Sequence, residues 1–481
     1  MSPGEIIGLG HLEKVGEVAA FAQYMTYPAL YQKHLIPDEA LGILSHRWSI
    51  ERNVIPNAEF HLARNVYIVG EGLVFTSEGA LINATRINFS DADVERARAT
   101  LAEALNSGQN PPHHGRAIMC KKRGATNYGH WLVEMLPKAF WIRNKLNAWD
   151  WPVVVHQNGL KMQTIMRQSL AALGVTSDKI IETGPEVVHF DELLLVHGLT
   201  SHAVFISPLV MECMEFIASK APPGKADMIY AMRSPAHIRD FEDEPAIRAI
   251  FEGHGYAPID TAPLSFLEQV SAFKTARRVV GAMGAALSNS IFCRPGTELV
   301  MFTPSSALEL FFWHIAQGRK LDYHEVRTEE AGPQIGSLPW NKNLCISAEA
   351  VENILARLAV QRQQTILPLT EQPTATHLTR ECACAVQWGL SFQNKRDMVH
   401  TIRLKPDGTT TGYRHHNEHS WRFKDGAIEI LSIHGQLSWR FDDIGQRDEK
   451  LHLRARGRLP ELAGLLAYLD ELPSTETTLS G

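Results

Sequence analysis

The sequence predicts an α/β protein: two successive units in which short strands alternate with helices, then a smaller β-rich segment. Three observations carry this. Residues 151–156 (WPVVVH) and 192–197 (ELLLVH) are short, strongly apolar runs of strand length, and they alternate with helical apolar spacing over 130–146 and 161–173. The same alternation restarts after Pro222 and Pro223. Beyond about residue 380, helical spacing gives way to short alternating segments split by Asp407-Gly408 and Asp425-Gly426, both hairpin signals.

In chain order, residues 65–83 read as short strands between Gly-rich turns. Residues 91–105 read as a helix with Asp91 as N-cap and Asn106 and Gly108 as terminators. A further strand is expected at 179–182. The second unit runs strand 227–232, helix 244–252, strand 256–260, helix 265–275 with Phe266, Val270 and Phe273 on one face, strand 277–281, a helix from Ala285, and strand 298–302. Val351, Ile354, Leu355 and Leu358 give a helix over 348–359 that closes it. Residues 363–380 are rich in Thr, Pro and Gln and read as a linker. HSWRFKDG (419–426) and LSWRFDDIG (437–445) resemble each other, as chance likeness of two hairpins or as a repeated meander unit. The chain thus divides into 1–210, 211–362, the linker 363–380, and 381–481.

With 481 residues, 44% of them hydrophobic, each part has enough apolar material for its own core. Lys and Arg number 47 against 53 Asp and Glu, a net charge of −6, which argues against bulk nucleic-acid binding and leaves room for a local basic cleft. Of the six cysteines only Cys382 and Cys384 are close, and C-x-C is too short for a zinc knuckle, so the thiols fit a reducing compartment. The start, MSPGEIIGLG, has no basic or apolar leader pattern, and no segment approaches the roughly 20 apolar residues of a membrane span. The expected location is the cytoplasm; a peripheral contact at the inner face of the membrane and a homo-oligomer stay open.

Four segments carry residues suited to chemistry. In RVVGAMGAALSN (278–289), small residues follow a strand and open a helix. Gly281, Gly284 and Ala285 would let the backbone approach a ligand, the unpaired N–H groups and the helix dipole suit an anion, and Ser288 and Asn289 add donors. Close helix–strand packing fits the same spacing. This is not the dinucleotide G-x-G-x-x-G pattern. In IYAMRSPAHIRDFEDE (229–244), Arg233 and Arg239 lie at the carboxyl edge of a strand, where a planar guanidinium suits phosphate, and Glu244 opens the next helix; solvated ion pairs are the alternative. In TNYGHWLVEMLPK (126–138), Asn127 and Gly129 lead into a helix that places His130 and Glu134 on one face, with His130 a general base, a diphosphate ligand or a structural histidine. The pattern is not H-E-x-x-H, so zinc is not expected. HHNEH (415–419) suits a hairpin surface, a carbohydrate contact supported by Trp421, or less readily a metal. His113 and His114 follow Pro111 and Pro112 and read as loop residues.

In order and spacing, these segments resemble the family 61 glycosyltransferases, which include bacterial capsule and exopolysaccharide transferases. The family's N-x-x-H-W is matched by Asn127, His130 and Trp131, followed by Glu134 and Pro137. Its S-R, second Arg and N-E are met by Met232-Arg233, which departs at the Ser, by Arg239, and by Asp243-Glu244. Its L-S-x-x-E-Q is matched by Leu264, Ser265, Glu268 and Gln269. Its G-x-H-G-A-x-L-x-N and P-G-T are matched by Gly281, Gly284, Ala285, Leu287, Asn289, Pro295, Gly296 and Thr297, with Met283 where the family has His.

The resemblance covers roughly residues 60–330. It implies a GT-B fold, with two Rossmann-like domains facing across a cleft and the donor nucleotide on the second (211–362), to which the β-rich 381–481 is an accessory. It also implies an inverting, metal-independent enzyme without a cofactor, acting on a nucleotide sugar (a UDP-sugar) and a glycan or lipid-linked acceptor in surface polysaccharide synthesis. His130 is the expected general base and Glu244 the second candidate. Asn127, Arg233, Arg239, Gly281, Met283, Gly284, Ala285, Ser288 and Asn289 are expected around the nucleotide. Met283 and the extra β-rich segment motivate the alternative of a non-catalytic carbohydrate-binding or scaffold protein.

Overall fold

The computed structural model describes residues 5–20, 23–50, 52–108, 110–233, 238–366, 378–392, 399–413, 415–447, 450–462 and 465–472. It is a mixed α/β structure whose three large sheets follow one another along the chain.

The parallel part of the first sheet runs Val188–His197, His113–Met119, Val153–His156, Ile180–Thr183. The long strand Ala58–Val69 pairs antiparallel on the other side of Val188–His197. The unbroken apolar runs follow from burial on both faces. Val153 and Val155 belong to the largest apolar cluster, whereas Val154 belongs to a separate one on the opposite face. His113 and His114 open a strand rather than sit in a loop, because the sheet pairs them with His189 and Phe190.

The second sheet has the order Ala257–Asp260, Met228–Met232, Arg278–Ala282, Glu298–Pro304, Asp322–Ala331, all parallel. The chain starts on Met228–Met232, steps outward, then returns on its other side. The crossover connections therefore diverge beyond the carboxyl ends of Met228–Met232 and Arg278–Ala282, which opens a crevice there. Ala29–Tyr31 also pairs with Asp322–Ala331. The division at residue 210 is thus crossed by an N-terminal strand that belongs to the second sheet. One apolar cluster runs from Ile118 and Val153 of the first sheet to Val279 and Leu299 of the second, so the seam between them is packed.

The third sheet has eight antiparallel strands over Trp388–Glu471. The two WRF segments flank Ala427–Leu431, with Trp421 and Trp439 both opposite Ile430. Trp421 is 2% exposed and its Nε1 donates to Lys405 O at 2.8 Å, so it cannot stack on a sugar as expected from sequence.

Helix ends differ from expectation where side-chain caps decide them. Ser90, not Asp91, caps Asp91–Asn106, in a capping box with Asp93. Ala285–Phe292 is a 3₁₀ helix rather than an α-helix. The helix Ala348–Ile366 extends into the expected linker, of which residues 367–377 lie outside the described residues.

One buried ion pair governs a loop that matters below. Arg327 and Glu325 are each 1% exposed and are bonded to each other. Arg327 also donates to Ala307 O at 2.7 Å and Pro304 O at 3.2 Å, pinning the turn after Glu298–Pro304. Arg327→Met leaves the buried Glu325 carboxylate with the Tyr323 hydroxyl and no cation, and should cost about 3–5 kcal/mol, read as a lowered urea midpoint. An unchanged midpoint would mean that the pair adds nothing to the fold.

Candidate functional site

The carboxyl edges of the first two sheets meet at one seam. After His113–Met119 the chain passes Lys122 and reaches Asn127, whose Oδ1 accepts from Gly129 N at 2.8 Å and His130 N at 3.4 Å. That cap starts the helix bearing His130. The helix continues through a π-helical turn, Trp131–Met135, ahead of Pro137.

His130 and Glu134 meet as their spacing predicts, with Nδ1 and Oε2 at 3.0 Å. Glu134 is 2% exposed. Its other oxygen meets His202 Nδ1 at 2.8 Å, and Lys122 Nζ bonds Oε2 as well. Burial alone would raise the Glu134 pKa, but His130, His202 and Lys122 hold it below the usual carboxylate range. An ionised carboxylate only accepts, so His130 carries its proton on Nδ1 and, when neutral, presents the lone pair of Nε2. That nitrogen has no hydrogen-bond partner among the described residues.

His202 lies at the turn of a small hairpin, Thr200–Ser201 with Phe205–Ile206. Its Nε2 is 3.6 Å from Glu309 Oε2. Burial opposes the charged form, but Glu134 and Glu309 push the His202 pKa up to about 9, so it is an imidazolium at neutral pH. Glu309 lies in the turn that Arg327 pins and is held below its usual range by His202 despite burial.

Around these groups lies a pocket of about 80 Å³, lined also by Asn127, Gly129, Arg239, Gly284, Ala285, Ser288 and Phe311. Arg239 has a left-handed backbone, φ 59°, and its buried Nε has no hydrogen-bond partner. Burial and the neighbouring Arg233 pull its pKa down to about 10, which leaves it charged at neutral pH. A second cleft of about 450 Å³ adjoins the first, sharing Asn127 and Ala285, and reaches Lys161, Arg233 and Thr261.

Six expected residues therefore come together: His130, Asn127, Arg239, Gly284, Ala285 and Ser288. Arg233 borders the larger cleft, but its guanidinium is already committed to Met283 O at 2.7 Å, Ile238 O at 2.8 Å and Asp240 Oδ1 at 3.2 Å. It holds the turn rather than offering a free fork to phosphate. Gly284 makes this possible, because a Cβ there would overlap the Arg233 guanidinium.

Four expected residues line neither pocket. The Met283 side chain is fully buried in the core beside Thr303, away from both pockets. Gly281 is needed for strand packing, since a Cβ would lie 2.8 Å from Ala231 O. Asn289 is fully buried and spent on Tyr128 OH at 2.5 Å and Gln269 Oε1 at 3.2 Å, which ties the first helix to the second sheet. Glu244 accepts from Tyr230 OH at 3.2 Å and lines neither pocket. The Ser265 and Glu268 motif is likewise a capping box.

Lys122, His202, Glu309 and Phe311 are additions to the sequence-derived set. One signal was present: Glu134 sits inside the apolar stretch LVEML, where a buried carboxylate requires partners. Among the described residues, His130, Glu134 and His202 also form one of two groups able to hold a metal ion. Lys122 already bonds the Glu134 carboxylate of that group.

A family model described as Glycosyltransferase 61 matches residues 128–300. The match supports a glycosyltransferase, with a nucleotide sugar and a glycan acceptor as the substrates that family implies. It spans His130, Glu134, His202, Arg239 and the 3₁₀ turn, and it ends before Glu309. No curated protein matches the chain. No helix among the described residues is long and apolar enough to cross a membrane.

The raised His202 pKa has a sign that can be tested. Its folded value, about 9, exceeds the unfolded value of about 6.5, so its contribution is full below pH 6.5 and lost as pH rises through about 9. The difference in thermal midpoint between the wild type and His202→Gln should be largest near pH 6 and shrink towards pH 9.5. A difference independent of pH would mean that His202 is not charged by its carboxylates.

Proposed function

We propose that the protein is an inverting, metal-independent glycosyltransferase. It takes a sugar from a nucleotide sugar, a UDP-sugar by our reading, and places it on a hydroxyl of a glycan or lipid-linked acceptor in surface polysaccharide synthesis. The observation that carries the proposal is His130, oriented through Nδ1 by Glu134, facing Arg239 and the start of the 3₁₀ helix across one small pocket.

Each group has a role in this scheme. The acceptor hydroxyl gives its proton to His130 Nε2 as its oxygen bonds the anomeric carbon. The bond from that carbon to the diphosphate oxygen breaks, and its electron pair leaves with the nucleotide. Attack from the face opposite the leaving group inverts the centre. Arg239 and the backbone N–H groups at Ala285 take up the charge on the diphosphate, and the His202 imidazolium offsets the Glu309 carboxylate on the same wall. A fixed cation and backbone donors supply here what a metal supplies elsewhere. The larger cleft, beside Arg233 and Thr261, is the place for the nucleoside.

The parallel half of the first sheet, the mainly parallel second sheet and the crevice at their carboxyl edges fit a GT-B arrangement, with the third sheet as an accessory unit. Because the Met283 side chain packs into the core, the loss of a histidine at that position gives no ground for a lost activity.

Incubation with a panel of nucleotide sugars, following release of the nucleotide, tests the proposal; no binding and no release with any of them would sink it. Arg239→Ala should weaken UDP affinity by roughly 1–3 kcal/mol, the loss of a charge-assisted bond, in a calorimetric titration. His130→Ala should lower turnover by about 10²–10⁴-fold with UDP affinity nearly unchanged. Full turnover in His130→Ala would remove it as the base.

A further inference from the structure

At the opposite end of the first sheet from the candidate pocket, the strands build a second cluster of metal-ligating side chains. His113 opens the strand His113–Met119 and pairs in register with His189 of Val188–His197. Asp191 follows His189 by two residues and therefore shares its face. The rings of His113 and His189 stack at 4.9 Å, and His113 Nε2 lies 2.8 Å from Asp191 Oδ1. The ligating atoms of all three residues lie within 4.8 Å of one another.

We infer that His113, His189 and Asp191 form a binding site for one divalent ion of the zinc class. Two imidazoles and one carboxylate suit Zn²⁺, Ni²⁺ or Cu²⁺ and do not suit Mg²⁺ or Ca²⁺, which take oxygen ligands. Tetrahedral zinc holds its ligand atoms about 3.4 Å apart, and because a metal lies in the plane of each imidazole that binds it, the His113 ring must turn out of its stack on His189 to close the site. Three protein ligands leave a fourth position for water or an external ligand.

The surroundings are organised for this. The His189 ring lies between His113 and the Tyr67 ring, the latter at 4.8 Å, and Tyr67 is its partner on Ala58–Val69. Asn65 Oδ1 accepts from His189 Nε2 at 2.6 Å, which places the proton on that nitrogen and the lone pair on Nδ1. The ligands stand on paired strands, so little backbone freedom is lost on binding. A strand length of about 20 Å separates the cluster from the transfer pocket, and the site is independent of the transfer reaction.

Isothermal titration of tag-free, chelator-treated protein with Zn²⁺ tests the inference. The wild type should bind one equivalent, and so should Glu134→Gln, which alters the other possible metal group. The double variant His113→Ala/His189→Ala should lose that equivalent, and Asp191→Asn should bind at least tenfold more weakly. Zinc should also raise the melting midpoint of the wild type and leave the double variant unmoved. If the double variant fails to fold, Asp191→Asn alone decides the outcome. No binding by the wild type, or an equivalent that persists with unchanged affinity in the ligand variants, would overturn the inference.

Discussion

A carboxylate buried inside a hydrophobic helix is the constraint on which this site depends. Glu134 is 2% exposed, and an ion removed from water costs several kcal/mol unless its oxygens are satisfied. Its partners come from three places in the chain: Lys122 after a strand of the first sheet, His130 one turn earlier on the helix, and His202 in the hairpin after Val188–His197. Through His202 the network reaches Glu309, on the turn that Arg327 holds from the second sheet. One carboxylate thus registers both sheets against each other and sets the orientation of the imidazole that faces the pocket.

Strand order explains where the pocket opens. The second sheet reverses its order at Met228–Met232, and the loops after that strand and after Arg278–Ala282 must diverge there. Arg233 bridges them by binding the Met283 carbonyl, and the missing Cβ of Gly284 lets it come close enough. Arg239 is left with its left-handed backbone and an unpartnered Nε at the pocket wall. Two arginines of one segment therefore divide the work between holding the turn and meeting an anion.

Much of the fold was legible because burial on both faces writes itself as unbroken apolar runs, as at Val153–His156 and Glu298–Pro304. The 3.6-residue spacing placed His130 and Glu134 together for the same kind of reason. What could not be read were contacts between segments distant in the chain. His202 and Glu309 carry no local motif, and only the fold brings them to Glu134. The register that sets His113 beside His189 is likewise a property of the sheet. Motif residues also proved ambiguous between ligand and scaffold. Ser265 with Glu268, Gly281 and Asn289 satisfy backbone or packing demands, and a match to a motif does not distinguish that use from binding.

The most direct test of the account is the structure of the protein with UDP bound. The diphosphate should lie at the small pocket, between the Arg239 guanidinium and the backbone N–H groups at Ala285, with His130 Nε2 on the far wall and the nucleoside in the cleft beside Arg233 and Thr261. A diphosphate bound away from Arg239 and Ala285 would contradict the account, as would one that displaces Arg233 from the Met283 carbonyl.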